Sequence, residues 1–222
     1  MGINTTFIKD PDDLSEWEAA IRPETKVFYG ESIGNPKNDF LDISGVAEVG
    51  HNYGIPLIVD NTVATPYLIN PISLGADVVV HSMTKFIGGH GNSIGGIIVD
   101  GGKFDYSEST RFKNFVEPDP SYHGLKYWPD LGHGSFIIKA RVQLLRDLGS
   151  SVTPQNAFNF LQGLETLSLR MERHFENAIK VVEFLSNHEQ VEKIQFAGLP
   201  ESPWHERAKL YGVRNGYGSV PA

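Results

Sequence analysis

At 222 residues, 40% of them hydrophobic and 21% charged, the chain has the composition of a globular protein and enough length for one large domain or one and a half typical ones. A formal net charge of −8 offers no basic face to a phosphate backbone, which argues against nucleic acid as a partner, and zero cysteines exclude disulfides, thiolate zinc sites and cysteine nucleophiles. No signal-peptide pattern and no apolar run of about 18 residues occurs, so a cytoplasmic protein without membrane contact is expected.

In chain order, "LSEWEAAI" (14–21) has apolar residues at helical spacing, with Asp12 or Asp13 as cap and Pro23 beyond its end. "KVFYGES" (26–32) reads as a strand running into the turn signal "GNPKND", and a helix over 43–53 follows. "PLIVD" (56–60), "ADVVVHS" (76–82) and "GGIIVD" (95–100) are short apolar runs of the kind buried on both faces. Strands alternating with helices predict a largely parallel, helix-covered α/β sheet. From Pro154 the spacing of Ala157, Leu161, Leu164, Met171, Phe175, Ala178, Val182 and Leu185 predicts one long amphipathic helix, with Thr153 and Pro154 as cap and first residue. "VEKIQFAG" reads as a strand, and "SPWHERAKLYG" as a short helix with Ser202 capping and Pro203 first. A domain boundary is placed near 149–153, dividing the chain into 1–150 and 151–222. Both ends run abruptly into element-like or glycine-rich sequence, as in a truncated chain.

Polar residues just past the carboxyl ends of strands are where open α/β sheets bind ligands. Asp60 closes one run, and "HSMTKFIGGHG" follows another. A lysine is a nucleophile only when neutral, so Lys85 needs burial or nearby positive charge to act near pH 7. Ser82, Thr84 and the amides of the glycine stretch suit a phosphate, the glycines letting backbone approach a ligand. Asp60 is placed to pair with a protonated ring nitrogen, the division of labour between lysine and aspartate around pyridoxal phosphate. Asn35, after the strand at 26–32, is a third group able to reach the same crevice. Taken singly, each of these residues is better explained as solvated surface; the conjunction carries the functional reading.

"SMTK" also matches S-x-x-K, which would make Ser82 the nucleophile of an acyl enzyme. That motif opens a helix, whereas the residues before Ser82 read as strand, and neither S-D-N nor K-T-G occurs. The glycine stretch lacks G-K-[ST] and G-x-G-x-x-G, so it is not read as a nucleotide loop. The eight histidines show no metal-ligand spacing. His81 and His90 flank Lys85 as candidates to contact a ligand; His174 and His205 read as surface or satisfied core.

"ESIGNP", "LIVDNTVATPYLINPISLGADVVVHSMTKFIGGHG", "DPSYHGL" and "QGLETLSLRMERH" together resemble the Cys/Met-metabolism family of pyridoxal-phosphate enzymes, over nearly the whole chain. "TKFIGGHGNSIGG" and "EPDPSYHGL" are most similar to the O-acetylhomoserine sulfhydrylases, with cystathionine γ-synthase and methionine γ-lyase as relatives. The resemblance implies the aspartate-aminotransferase-like fold (fold type I): residues 1–150 as part of a large cofactor-binding domain and 151–222 as the beginning of a small C-terminal α+β domain. It implies Lys85 as the residue bonded to the cofactor aldehyde and moving protons, Asp60 on the pyridinium nitrogen, Ser82 and Thr84 on the phosphate, and Asn35 near the ring hydroxyl. It implies γ-replacement of acetate on O-acetylhomoserine by sulfide or methanethiol, giving homocysteine or methionine, in a homo-oligomer, usually a tetramer, with shared active sites. It also implies that the segments carrying a partner subunit's Tyr-x-Arg phosphate arm, a Gly-Met phosphate turn, a stacking aromatic and the substrate-carboxylate arginine are absent; Arg214 is not in that arginine's motif and is given no role. The rival expectation is a non-catalytic fragment of such an enzyme, with exposed apolar surface and self-association.

Overall fold

In a computed structural model, which describes residues 2–212 and 216–222, helix α1 (Leu14–Ala19) is started by Asp13, whose side chain accepts a hydrogen bond from the Ser15 amide, and is anchored by buried Trp17. The apolar runs then become strands β1 (Phe28–Glu31), β2 (Leu57–Asp60) and β3 (Val78–Ser82). Between β1 and β2, α2 (Ile43–Asn52) is capped by Asp42, which accepts from the Gly45 amide, and buries Ile43, Val46, Ala47 and Gly50. Those positions recur at helical spacing, which is why this face packs inward. The one-turn helix α3 (Thr65–Leu68) follows β2.

The sheet has the order β1-β2-β3-β4, with the first three strands parallel. Glu31 is level with Asp60, and Asp60 with Val80, so the three carboxyl ends lie side by side. Strand β4 (Gly96–Asp100) departs from expectation: it is antiparallel to β3, and Ile97, Ile98 and Val99 are 42%, 48% and 42% exposed. Among the described residues it pairs only with β3, so an apolar run that reads as doubly buried is an edge strand.

Residues 101–150, for which the sequence predicts no elements, hold the short helices α4 (Lys113–Val116), α5 (Ser135–Lys139) and α6 (Arg146–Leu148), with a π-helical stretch, Ala140–Leu145, joining the last two. They surround a satellite core of Tyr106, Phe112, Phe115 and Tyr127, in which Tyr106 and Phe115 stack 4.0 Å apart.

The single helix predicted from Pro154 is two helices, α7 (Pro154–Glu165) and α8 (Leu167–Ser186). Thr153 does cap α7, its hydroxyl accepting from the Asn156 amide at 3.2 Å. The break falls at Thr166; ahead of it α7 buries Phe160 and Gly163, where a Cβ would lie 2.4 Å from the Ile87 carbonyl oxygen, while the predicted core positions Leu161 and Leu164 are exposed. Beyond the break, Leu167, Met171 and Phe175 of α8 join the same core as Leu57, Val59 and Leu68. "VEKIQFAG" forms no strand. Gln195 exchanges two backbone hydrogen bonds with Ala222, but the Ala197 amide donates to the Asn38 side chain instead of a neighbouring strand. Helix α9 (His205–Tyr211) begins later than predicted, with Ser202 accepting from the Trp204 amide just ahead of it. Arg214 lies outside the described residues.

Candidate functional site

The parallel register delivers Asp60 and Ser82 to neighbouring strand ends, and Thr62 links them. The Thr62 amide donates to Asp60 Oδ1 at 2.9 Å, while its hydroxyl accepts from the Ser82 amide at 2.8 Å. The loop after β2 is held beneath by fully buried Asn61. Its Oδ1 accepts from the Ser32 hydroxyl at 2.7 Å, and its Nδ2 donates to the carbonyls of Thr65 and Ile69. Those bonds help hold Thr65 at a φ of 62°, a conformation seldom adopted by a β-branched residue.

Lys85 lies in a tight turn after β3. Its amide donates to the Ser82 carbonyl, and the amides of Gly88 and Gly89 donate to the carbonyls of Met83 and Lys85. Lys85 is exposed, not buried, in the described chain. The Thr84 hydroxyl is already engaged with the first residues before β4, accepting from the Gly95 amide at 3.1 Å and donating to its carbonyl at 3.3 Å. Ser82 is half-buried, and its hydroxyl makes no hydrogen bond among the described residues. Asn35 is exposed beyond β1, with its amide on Glu31 Oε2 at 3.0 Å, so it shares the edge on which Asp60 lies.

Two of the glycines serve packing rather than ligand approach. A Cβ on Gly88 would meet the Met83 carbonyl at 2.8 Å, and one on Gly89, at a φ of +78°, would meet the Arg170 guanidinium at 2.6 Å. Gly91 alone of the three following Lys85 faces open space.

The Tyr29 hydroxyl donates to Asp60 Oδ2 at 3.3 Å, and burial, reinforced by the Asp60 charge, pushes the phenol up to about 12. His81 is 6% exposed and its Nδ1 faces the Asn61 carbonyl at 3.1 Å. Burial lowers its pKa, with the Asn61 bond and the Asp60 charge opposing, which keeps a neutral imidazole beside the carboxylate. His90 is exposed. Of these groups, sequence reasoning did not single out Thr62 or Tyr29. Thr62 had a signal, being the last residue of "VDNT"; Tyr29 looked like any strand aromatic.

A groove of about 480 Å³ lies along β4, lined in part by Val80, His81, Gly95 and Thr153. Asp60, Ser82 and Lys85 do not line it, although His81 and the Gly95 that bonds Thr84 do. Among the described residues no His, Asp and Glu cluster could hold a metal ion, and no helix is long and apolar enough to cross a membrane.

The family model for the Cys/Met metabolism PLP-dependent enzymes matches residues 1–219. An O-acetyl-L-homoserine sulfhydrylase from Corynebacterium glutamicum is 53% identical over 96% of this chain and 50% of its own length. A homocysteine synthase from Schizosaccharomyces pombe is 48% identical over 99% of this chain and 51% of its own. The chain thus spans about half the length of the curated relatives it matches. Among solved structures, an O-acetylhomoserine (thiol)-lyase from Campylobacter jejuni, which carries N′-pyridoxyl-lysine-5′-monophosphate, superposes with a TM-score of 0.88 at 38% identity, over 95% of this chain and 52% of that one. A cystathionine γ-lyase from Lactobacillus plantarum, complexed with L-serine, superposes at 0.74 with 32% identity, over 95% and 46%.

Proposed function

Because the chain belongs to the Cys/Met-metabolism family of pyridoxal-phosphate-dependent enzymes, we propose that its activity is γ-replacement on O-acetylhomoserine, with sulfide or methanethiol as second substrate and homocysteine or methionine as product. The observation that carries this reading is the bridge from the Asp60 carboxylate through Thr62 to the Ser82 amide, with Lys85 three residues further on. It gathers an anion, a free hydroxyl and a primary amine at adjacent strand ends, a donor set that fits the cofactor's ring nitrogen, phosphate and aldehyde. When bound, pyridoxal phosphate supplies an electron sink for negative charge developing at the substrate's α-carbon.

Within this reading each side chain has a defined task. Lys85 Nζ would hold the cofactor until the substrate amine displaces it, and the freed amine would then move protons at the substrate's α- and β-carbons, so that acetate leaves from the γ-carbon and a sulfur nucleophile takes its place. Asp60 accepts the ring N–H, and the bonds it receives from Tyr29 and the Thr62 amide fix the carboxylate's orientation. Ser82 Oγ donates to the phosphate. Thr84 joins it by turning its proton away from the long 3.3 Å contact with Gly95, and Asn35 approaches the ring hydroxyl. Residues 1–150 form part of the cofactor-binding domain and 151–222 the start of a C-terminal one, in a cytoplasmic homotetramer whose subunits share sites.

The test is to incubate the purified chain with pyridoxal phosphate, reduce with borohydride and map the pyridoxyl label by mass spectrometry. Label concentrated on Lys85 in the parent and lost in Lys85→Ala supports the reading; label spread evenly over surface lysines overturns it. Homocysteine release from O-acetylhomoserine and sulfide, compared with the succinyl ester and with O-acetylserine, then defines the substrate.

A further inference from the structure

Arg170 stands in the first turn of α8, where a cation opposes the helix dipole and is ordinarily unfavourable. Its surroundings explain why it is there. Nη1 donates to the Phe86 carbonyl at 2.7 Å, and Nη2 donates to the carbonyls of Ile87 at 3.2 Å and Gly163 at 2.8 Å. Nε donates to the Thr166 hydroxyl at 3.2 Å. One guanidinium therefore joins the carboxyl end of α7, the break before α8 and the two residues immediately after Lys85. Burial weighs against its charge and lowers its pKa, but a guanidinium stays protonated in proteins.

We propose that Arg170 is the positioning residue for Lys85, holding the Ser82–Gly89 turn by the Phe86 and Ile87 carbonyls so that the lysine amine is presented at a fixed height above the ends of β2 and β3. The geometry on both sides is built for this contact. Gly89 has no Cβ where one would strike the guanidinium at 2.6 Å, and Gly163 has none where one would strike the Ile87 and Gly88 carbonyls at 2.4 Å and 2.5 Å. The turn's own bonds, from the Gly88 and Gly89 amides, close it from within, whereas Phe86 and Ile87 project their carbonyls outward to Arg170. Loss of the guanidinium leaves the Phe86 and Ile87 carbonyls without that donor, while Gly163 keeps the Thr166 amide, and it leaves Lys85 on a turn tethered at one end. A lysine could keep the charge but could not span the fork.

The inference rests on Lys85 being the cofactor-holding residue, and the experiment separates the two. Arg170→Ala, Arg170→Lys and Thr166→Val are compared with the parent chain by amide hydrogen exchange at Gly88 and Gly89 and by the share of pyridoxyl label on Lys85 after borohydride reduction. In Arg170→Ala, exchange at both glycines should rise about tenfold or more, the scale of a lost charge-assisted hydrogen bond, and the Lys85 share should fall toward that of surface lysines. Arg170→Lys should be intermediate, Thr166→Val closest to the parent, and guanidinium ion added to Arg170→Ala should restore part of the Lys85 share but not part of the melting temperature. A folded Arg170→Ala or Arg170→Lys variant with parental exchange and parental Lys85 labelling overturns the proposal. If Arg170→Ala does not fold, Arg170→Lys decides by the same readouts. If the parent itself shows no preference for Lys85, the proposed function fails, and the clamp is judged on glycine exchange alone.

Discussion

Strands β3 and β4 are neighbours of nearly equal apolarity, "VVVHS" and "GIIVD", paired through five residues from Val78 with Asp100 to Ser82 with Gly96. Yet Val78 and Val79 are 2% and 3% exposed, while Ile97, Ile98 and Val99 are all above 40%. The difference comes from neighbours: β3 has a strand on each side and the core beneath it, whereas β4 has one partner among the described residues. Apolar side chains make a segment extended, but position in the sheet decides whether they are buried. The chemistry follows the same division, because Asp60 and Ser82 end strands that are fixed from both sides.

The largest expected effect tests that division directly. Leu57→Ala, in fully buried β2, should cost about 2–5 kcal/mol of unfolding free energy, and Ile98→Ala in β4 less than about 1 kcal/mol. Denaturant midpoints measure both, and equal costs would mean that β4 is covered in solution. Next comes Asn61→Ala, which removes the partner of the Ser32 hydroxyl and of the Ile69 carbonyl and leaves Thr65 only the long bond from the Ile69 amide; roughly 1–3 kcal/mol is expected, with a lower melting temperature. A smaller effect belongs to the exposed edge. Ile98→Lys should reduce concentration-dependent self-association in sedimentation while changing stability by no more than about 0.5 kcal/mol. Unchanged association would clear the β4 edge of that role.

The parallel part of the sheet was legible because its cues are local: short apolar runs, a cap at Asp12 or Asp13 that the structure places at Asp13, and a polar residue closing each run. So was the placing of Asp60 and Ser82 at neighbouring carboxyl ends, though not of Tyr29 and Thr62 beside them, since strand order brings together what the sequence lists in succession. What escaped depends on long-range contacts. The exposure of β4 is set by what lies beside it. The break at Thr166 lies three residues after Gly163, whose backbone approaches Ile87, 76 residues earlier, and the sequence spacing of Leu161, Leu164 and Met171 does not register it, although Leu161 and Leu164 are exposed and Met171 is buried. The glycines after Lys85 suggested room for a ligand, but at Gly88 and Gly89 that room is taken by Met83, Phe160 and Arg170.

The finest comparison between the two strands is at their other ends. Asp77, just before β3, accepts from the Leu57 amide at 2.8 Å and from His51 Nε2 at 2.9 Å, tying the starts of β2 and β3 to α2. The Asp77 hydrogen bond raises the His51 pKa above its usual 6.5, against the opposing effect of burial. A pKa raised by folding contributes stability that is fully present below the unfolded value and is lost as pH rises through the folded value. Stability should therefore decline from the acid to the alkaline side of 6.5, and His51→Gln should flatten that decline. The effect should be small, because the His51 side chain is 42% exposed and water screens the pair. Denaturant midpoints on either side of 6.5 test this. Identical slopes in parent and variant would show that the Leu57 amide alone, and not the imidazole, is the partner through which Asp77 secures the buried strands that β4 lacks.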